Sequence, residues 1–465
     1  MALTSSAPSD QAWGTDAKPE RLALALVTLG IISTAFNDLV GILPIGELSN
    51  DAFIYVAPLI FMYLALRLGS VTLPTTPVVL VIAFYVVILL GLASNYQEIS
   101  VAYFKGRSGF SRAVTQAISV TFGILVTVAF YNLARRGFLG AISKGARIAI
   151  LVMAAVGLLE FASWYSILGL TQIHLGLAQI IHANSGAEYG NRLRATAFEV
   201  SWAGVMLTFL FPFAIMDLPR HDIRRMVYIG LVFGLVVLAR SRTAMLVIGG
   251  QSLLLLWCAL RGRADRTMHV ASVICLGLML LMITPSVREA IGERLVNLVQ
   301  YGSFVDESKV DESNVSNATR LAAINAGIGM FNDHPILGVG LGQYGFSYPK
   351  YLKASEFTSW EVRLYSIGAE PDWPPIFSLH VRILAELGII GYLIWAALIA
   401  YPLWRSLRSI DLDTPVGRAH LAVAMTLSGW MLLGFSIDSF RFFGGWIALG
   451  VGLSLPAKPR RRNAP

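Results

Sequence analysis

Long apolar stretches, separated by short polar connections, recur along most of the chain. Each stretch is close to the roughly 20 residues that an α-helix needs to cross a bilayer. The pattern predicts about twelve membrane-spanning helices, at 22–44, 52–69, 76–95, 114–132, 147–167, 198–217, 226–240, 243–260, 268–285, 382–404, 418–437 and 441–456. We therefore expect an all-α polytopic membrane protein, with helix ends blurred by several residues where Gly and Pro occur, as at Gly41–Pro44.

One polar segment interrupts this pattern, between the ninth and tenth predicted helices. It divides the chain into an N-terminal tail at 1–21, helices 1–9 at 22–285, a large loop at 286–381, helices 10–12 at 382–456 and a basic tail at 457–465. Because this loop is the only long excursion from lipid in the pattern, we expect the chemistry of the protein to occur there.

The composition agrees with a membrane protein and suggests its orientation. Hydrophobic residues make up 55% of the chain and charged residues 14%, whereas soluble domains carry about 25% charged residues. Basic residues collect in alternate short connections, such as Arg135–Arg136 and Arg224–Arg225. The positive-inside rule then predicts that both termini are cytoplasmic and that the large loop lies outside the cytoplasm. The polar first twenty residues, which include Asp10 and Asp16, do not resemble a cleavable signal peptide.

Charge and cysteine content exclude several classes of function. The net charge of +8 follows from the predicted topology, and no compact basic domain indicates a nucleic-acid partner. The basic C-terminal sequence KPRRR is typical of an anchor for the last helix. Cys258 and Cys275 both fall inside predicted helices, so neither a disulfide framework nor a CxxC metal site is expected.

The large loop contains an amphipathic pattern followed by a glycine-rich one. Leu321, Ile324, Ile328 and Phe331 recur at helical spacing from Thr319 onward, which predicts a helix that stops at 332–335. The preceding part, where VDES occurs at 305–308 and again at 310–313, reads as an irregular insertion. The following GVGLGQYG fits GxGxxG, but no βαβ unit accompanies it, so a glycine-rich turn with tight backbone approach and positive φ is expected.

Three sequence motifs in this order resemble those of the O-antigen ligase and O-antigen polymerase family of bacterial envelope enzymes. They are ARSRTAMLV, then FNDHPILGVGLGQY with Thr319 and Arg320 before it, then LHVRILAELGIIG. The resemblance covers about residues 198–391 by motif. It implies a glycosyltransferase of the bacterial inner membrane that moves glycan from an undecaprenyl-diphosphate carrier to a glycan or lipid acceptor on the periplasmic face. The resemblance also implies that the reaction uses no metal, cofactor or nucleotide sugar. It further implies that the protein contacts membrane lipids and envelope polysaccharide assembly proteins.

Arginine suits the charge that such a donor carries. A diphosphate leaving group must be neutralised as the glycosidic bond breaks, and the planar, permanently charged guanidinium does this better than Lys. We predict Arg242 and Arg320 as catalytic arginines, with Arg240 in reserve. Arg242 lies in a very short outer connection, where snorkelling to the interface is the alternative role. Arg320 is expected at the start of the amphipathic helix, where a positive charge gains nothing from the helix dipole.

A histidine is the expected general base for the acceptor hydroxyl. The predicted topology places His221, His269 and His420 on the cytoplasmic side and His174 and His182 in a smaller outer segment. His334 is expected to be a turn residue beside Pro335. The remaining histidine is His380, at the outer start of a transmembrane helix. Packing at the helix start is the alternative role for His380. Glu386 could orient the imidazole, but at i+6 it lies on a different face of the helix.

Six further residues are predicted to bind substrate: Arg192, Arg194, Glu199, Arg240, Gly338 and Gly340. Glu199 beside two arginines can bind glycan hydroxyls or pair with those arginines. Aromatic side chains of the loop, among them Trp373 and Tyr344, offer flat surfaces for sugar rings, although membrane-interface belts use the same residue types.

The subclass of the family is less well marked. Ligases resembling this chain usually follow the histidine with a small polar residue, whereas Val381 stands here. This favours a polymerase, which extends lipid-linked repeats, over a ligase, which attaches polymer to lipid A core. A flippase for lipid-linked glycans and a non-catalytic scaffold are the alternatives from other classes, although repeated halves and charges near the bilayer midplane, typical of transporters, are not evident.

Overall fold

The computed structural model describes residues 20–43, 45–67, 71–166, 169–183, 185, 192–218, 222–260, 312–370 and 372–456. Its helices are α1 Arg21–Ser33, α2 Phe53–Ala65, α3 Thr75–Ser94, α4 Tyr96–Val101, α5 Gly109–Arg135, α6 Leu139–Trp164, α7 Leu170–Ile181, α8 Val200–Ile215, α9 Ile223–Ala239, α10 Arg242–Leu260, α11 Glu312–Asp333, α12 Tyr344–Ser347, α13 Trp360–Ile367, α14 Leu379–Ser409, α15 Pro415–Leu433 and α16 Phe443–Ser454. Two short strands, β1 Tyr103–Phe104 and β2 Arg107–Ser108, form an antiparallel hairpin.

The all-α polytopic membrane fold predicted from the sequence is confirmed. Each predicted span contains a helix, except 268–285, which lies outside the described residues. Within the described part of the chain, five helices are long and apolar enough to cross a membrane: α3, α5, α6, α14 and α15. Shorter apolar helices of 10–17 residues accompany them, among them α1, α2, α8 and α16.

The first predicted span is shorter than its apolar pattern suggests. Helix α1 ends at Ser33, and the following segment enters the bundle without helical structure. Its polar side chains are buried and bonded: the Phe198 amide donates to Asn37 Oδ1 over 2.7 Å, and Asp38 Oδ2 lies 2.9 Å from His182 Nδ1. These long-range partners replace helical hydrogen bonds, which local hydropathy cannot anticipate.

The helix predicted from Thr319 is longer than expected. Helix α11 begins at Glu312 and ends at Asp333, so the predicted end is confirmed and the predicted start is wrong. Arg320 therefore lies two turns inside the helix, and the argument that it opposes the helix dipole does not apply, since that effect is confined to the first turn.

The glycine-rich segment 335–340 docks against a break in α14, an arrangement that we call the Gly388 clasp. Gly388 has φ 65° and ψ −169°, which interrupts the helix. The amides of Val339 and Gly340 donate to the freed carbonyls of Ala385 and Glu386 over 2.9 and 3.0 Å, and the Ile389 amide donates to Pro335 O over 2.8 Å. The two motifs that the sequence places about forty residues apart thus form one structural unit.

Glycine is required on both sides of the clasp. Gly338 has φ 68°, and a Cβ there would overlap the backbone of Glu386 and Leu387. A Cβ on Gly388 would overlap the carbonyl of Ile336. The expected tight approach and positive φ are therefore confirmed at Gly340 and Gly342 of the GxGxxG pattern, and Gly338 just before it shows both as well, whereas Gly345 lies in α12.

An aromatic cluster holds the centre of the bundle. The rings of Trp395, Trp430 and Trp446, on α14, α15 and α16, have centroids 5.3 to 5.5 Å apart. Phe440, in the segment between α15 and α16, packs 5.5 Å from Trp395. All four are buried, and they pack the middle of α14 against the 438–441 segment, where the candidate site lies.

Candidate active site

A cavity of about 290 Å³ lies at one end of the bundle. It is bounded by the beginnings of α5, α8 and α14, by the hairpin, by the loop 372–376 and by the segment between α15 and α16. Its polar lining residues are Asn50, Arg107, Arg112, Thr115, Gln116, Ser119, Tyr344, Tyr365, Asp372, Arg382, Glu386, Asp438, Ser439 and Arg441. The lining therefore mixes four arginines with three carboxylates.

Arg382 sits between three separate elements. From the first turn of α14 its Nη1 donates to Asp438 O and its Nη2 to Gln116 Oε1, each over 2.6 Å, while its Nε lies 3.3 Å from Glu386 Oε2. The guanidinium also lies 5.1 Å from the ring centre of Phe440. This fork of contacts holds a positive charge in a fixed place on the cavity wall.

The start of α14 is fixed from outside the helix. Ser378 caps it, with its Oγ accepting from the Val381 amide, and the same hydroxyl donates to Gly434 O over 3.0 Å. The Leu379 amide donates to Ile437 O over 2.7 Å. The end of α15 thus sets the position of Arg382, one turn further along, and of Glu386, two turns further along.

Arg441 and Arg112 stand on other walls of the cavity. Arg441 Nε pairs with Asp51 Oδ2 over 2.9 Å, and its guanidinium lies 5.4 Å from the Trp202 ring centre. The Arg112 guanidinium lies 4.6 Å from the ring centre of Trp373. Aromatic faces beside guanidinium groups stabilise cations through the ring quadrupole, so these arginines keep a defined orientation.

The hairpin and the 370–373 loop cover the same end. The Lys105 ammonium donates to the carbonyls of Glu370 and Asp372, and burial lowers the pKa of Lys105. Trp373 packs against Gly345 so closely that a Cβ there would overlap the indole. Trp373 is half-buried and also lines the cavity. Burial raises the pKa of Tyr365, which keeps its phenol a hydrogen-bond donor at neutral pH.

His380 lies on a different side of α14 from the cavity. Its Nε2 is 2.8 Å from Met431 O, its Nδ1 is 3.4 Å from Tyr392 Oη, and its ring centre is 4.6 Å from that of Phe435. A carbonyl can only accept, so Nε2 carries the hydrogen. His380 is 6% exposed, and its ring packs between α14 and the end of α15.

The predicted arginines are dispersed. Arg320 is half-buried on α11 with its guanidinium 4.5 Å from the Phe377 ring centre. Arg240, in the left-handed region at φ 48°, and Arg242 are both exposed at the α9–α10 turn. None of these three lines the cavity.

The remaining predicted residues are also outside the cavity lining. Arg194 is buried and pairs with Asp38 over 3.7 Å, Arg192 is exposed, and the Glu199 carboxylate accepts from the Ser201 hydroxyl. Gly338 and Gly340 belong to the Gly388 clasp, through which they hold Glu386. The structure thus brings none of the nine predicted site residues into the lining of this cavity.

Comparison with protein families finds a match over part of the chain. The O-antigen ligase family model matches residues 227–396. Over these residues the chain is similar to the O-antigen ligase family. This match and the membrane-spanning helices indicate a multi-pass protein of the bacterial inner membrane with a role in glycan processing. A search among curated proteins finds no match to the chain.

The family match covers the clasp and part of the cavity. Tyr344, Tyr365, Arg382 and Glu386 fall within the matched residues, whereas Arg107, Arg112 and Arg441 fall outside. For Arg382 and Glu386, the sequence offers one local signal, which is their i,i+4 spacing in LHVRILAELG. No comparable local signal marks the second group, since their meeting depends on tertiary packing. In the described part of the chain, no three His, Cys, Asp or Glu side chains converge to hold a metal ion.

Proposed function

We propose that this protein is a polymerase-type glycosyltransferase that transfers glycan repeats from an undecaprenyl-diphosphate carrier at the periplasmic face. The observation that carries the proposal is the arginine-lined cavity, which adjoins the Gly388 clasp within the matched family region. Fixed positive charge in such a cavity can stabilise the diphosphate of a lipid-linked donor.

The charges of the cavity suit a diphosphate leaving group. As the glycosidic bond breaks, negative charge grows on the departing phosphate, and fixed guanidinium groups stabilise it without reorganisation. Arg382 is held by Asp438 and Gln116, and Arg112 is held over Trp373. We assign donor binding to Arg107, Arg112 and Arg382, in addition to the sequence-based candidates Arg242 and Arg320.

The size of the cavity fits the reacting part of the donor. Small-molecule pockets span about 300–1,000 Å³, and this cavity lies at the lower end of that range. It can enclose the diphosphate and the adjoining sugar, while the lipid tail and the remaining glycan stay outside. The polar lining supplies Tyr365 and Gln116 as partners for sugar hydroxyls.

The preference for a polymerase over a ligase depends on Val381. Its side chain packs against α11, where a Cβ on Gly327 would lie 2.7 Å from the Val381 methyl. The residue after His380 is therefore an apolar packing residue in this chain. A ligase, which attaches polymer to lipid A core, and a flippase are the outcomes against which the proposal is tested.

The decisive experiment supplies purified protein in proteoliposomes with a lipid-linked repeat unit. We expect the donor to be consumed and polymer of several repeats to form on the carrier. Transfer only to added lipid A core would establish the ligase instead. Movement of intact donor across the bilayer without its consumption would establish a flippase.

Arg107→Ala tests the cavity as the donor site. We expect donor affinity to fall about tenfold to 150-fold, the range for losing a charged hydrogen bond of about 1.5–3 kcal/mol. The control is Arg363→Ala, because Arg363 is an exposed arginine on α13 and does not line the cavity. Equal donor affinity in the two variants would exclude Arg107 from the donor site.

A further inference from the structure

We propose that Glu386 accepts the proton of the acceptor hydroxyl, an inference that rests on the proposed function. In this step the acceptor oxygen attacks the anomeric carbon of the donor as the bond from that carbon to the phosphate oxygen breaks. The electron pair of that bond leaves with the polyprenyl diphosphate. The hydroxyl proton passes to the Glu386 carboxylate and is released to water when the product departs.

Glu386 has the position that this role requires. Its carboxylate lines the cavity beside Arg382 and Tyr344, and its side chain is only 3% exposed. The Gly388 clasp holds its backbone, since the Gly340 amide donates to Glu386 O over 3.0 Å. A base must be held within reach of the proton that it removes, and this attachment provides the rigidity.

The carboxylate retains capacity to accept a further hydrogen bond. An ionised carboxylate offers about four acceptor positions. Its two observed contacts are long, 3.3 Å from Arg382 Nε and 3.4 Å from the Tyr344 amide. Both Nη groups of Arg382 are already used by Asp438 and Gln116 at 2.6 Å. Arg382 thus balances the charge of Glu386 through Nε alone and does not form a two-bond pair with both carboxylate oxygens.

The other acidic groups of the cavity are less suited. Asp438 Oδ2 accepts from the Ile376 amide over 2.7 Å and thereby holds the cavity loop. Asp372 is exposed, and its backbone carbonyl is bound by the Lys105 ammonium. His380 lies outside the cavity lining, and its two ring nitrogens contact Met431 O on α15 and Tyr392 Oη on α14. Among these groups, Glu386 alone combines burial, rigid support and open acceptor positions.

An acceptor that needs no deprotonation separates this role from a structural one. Azide is already anionic, so it can attack the anomeric carbon without a base. In Glu386→Ala we expect transfer to the sugar acceptor to fall by about 10²- to 10⁴-fold, while donor affinity stays within about twofold of wild type. Azide should then restore donor consumption in this variant and yield a glycosyl azide that mass spectrometry detects.

Two further variants complete the test. Glu386→Gln keeps the shape of the side chain and should lose transfer to the same extent as Glu386→Ala. Glu98→Gln, at an exposed carboxylate on α4 outside the cavity, should transfer at the wild-type rate.

The proposal is overturned by near-normal transfer in Glu386→Gln, or by failure of azide to restore donor consumption in Glu386→Ala that still binds donor. It is also overturned if azide restores His380→Gln instead, because the base would then be the imidazole. If the wild-type protein consumes no donor at all, the proposed function itself fails. If the wild type is active and only the Glu386 variants behave otherwise than expected, the proposed function stands and only the role of Glu386 is wrong.

Discussion

At the scale of single residues, Arg382 is the side chain whose contacts are most specific. Its three nitrogens reach three elements at once: the start of α14, the 438–441 segment and α5. A Lys ammonium carries the same charge but cannot span these directions from one plane. Arg382→Lys should therefore lower transfer about tenfold to 150-fold, from the loss of charge-assisted bonds of about 1.5–3 kcal/mol. Arg363→Lys provides the matched control, and equal transfer rates in the two variants would contradict this role.

At the scale of elements, the Gly388 clasp joins α14 to the glycine-rich segment. Gly388→Ala would force a non-glycine residue to φ 65° and place its Cβ against Ile336 O. Such strain costs of order 1–3 kcal/mol, so we expect a lower thermal midpoint and loss of transfer through displacement of Glu386. The control is Gly230→Ala, since a Cβ at Gly230 in α9 meets nothing within 4 Å. That change should be neutral or stabilising by about 0.5–1 kcal/mol. A normal midpoint and normal transfer in Gly388→Ala would show that the break is not needed.

At the scale of the whole molecule, the cavity and the connection between α14 and α15 lie at opposite ends of the 31-residue helix α14. The distribution of basic residues predicts that the cavity end is periplasmic. A reporter that is active only outside the cytoplasm should therefore be active when fused after Lys350 and silent when fused after Asp413. The reverse pattern would place the cavity on the cytoplasmic side, where it could not serve a periplasmic transfer.

The sequence by itself determined the features that depend on local hydropathy. Spans such as 76–95 and 382–404 were predictable because an apolar run of that length is stable in lipid only as a helix, which satisfies its own backbone hydrogen bonds. The resemblance to the O-antigen ligase family, which the family model supports over residues 227–396, followed from motifs that are each contiguous in the chain. The demand for glycine at Gly338 and Gly340 was also visible, although their partner was not.

Only the tertiary structure decided which polar side chains meet. Arg107, Arg112, Arg382 and Arg441 come from segments far apart in sequence, and no local pattern encodes their convergence on one cavity. The end of α1 at Ser33 likewise depends on distant partners, since His182 bonds to Asp38 and the Phe198 amide bonds to Asn37. His380 was chosen by elimination, yet helix rotation turns it toward Met431 and turns Glu386, six residues later, into the cavity. Rotation and packing depend on contacts between helices, and the spacing of residues along one helix does not reveal them.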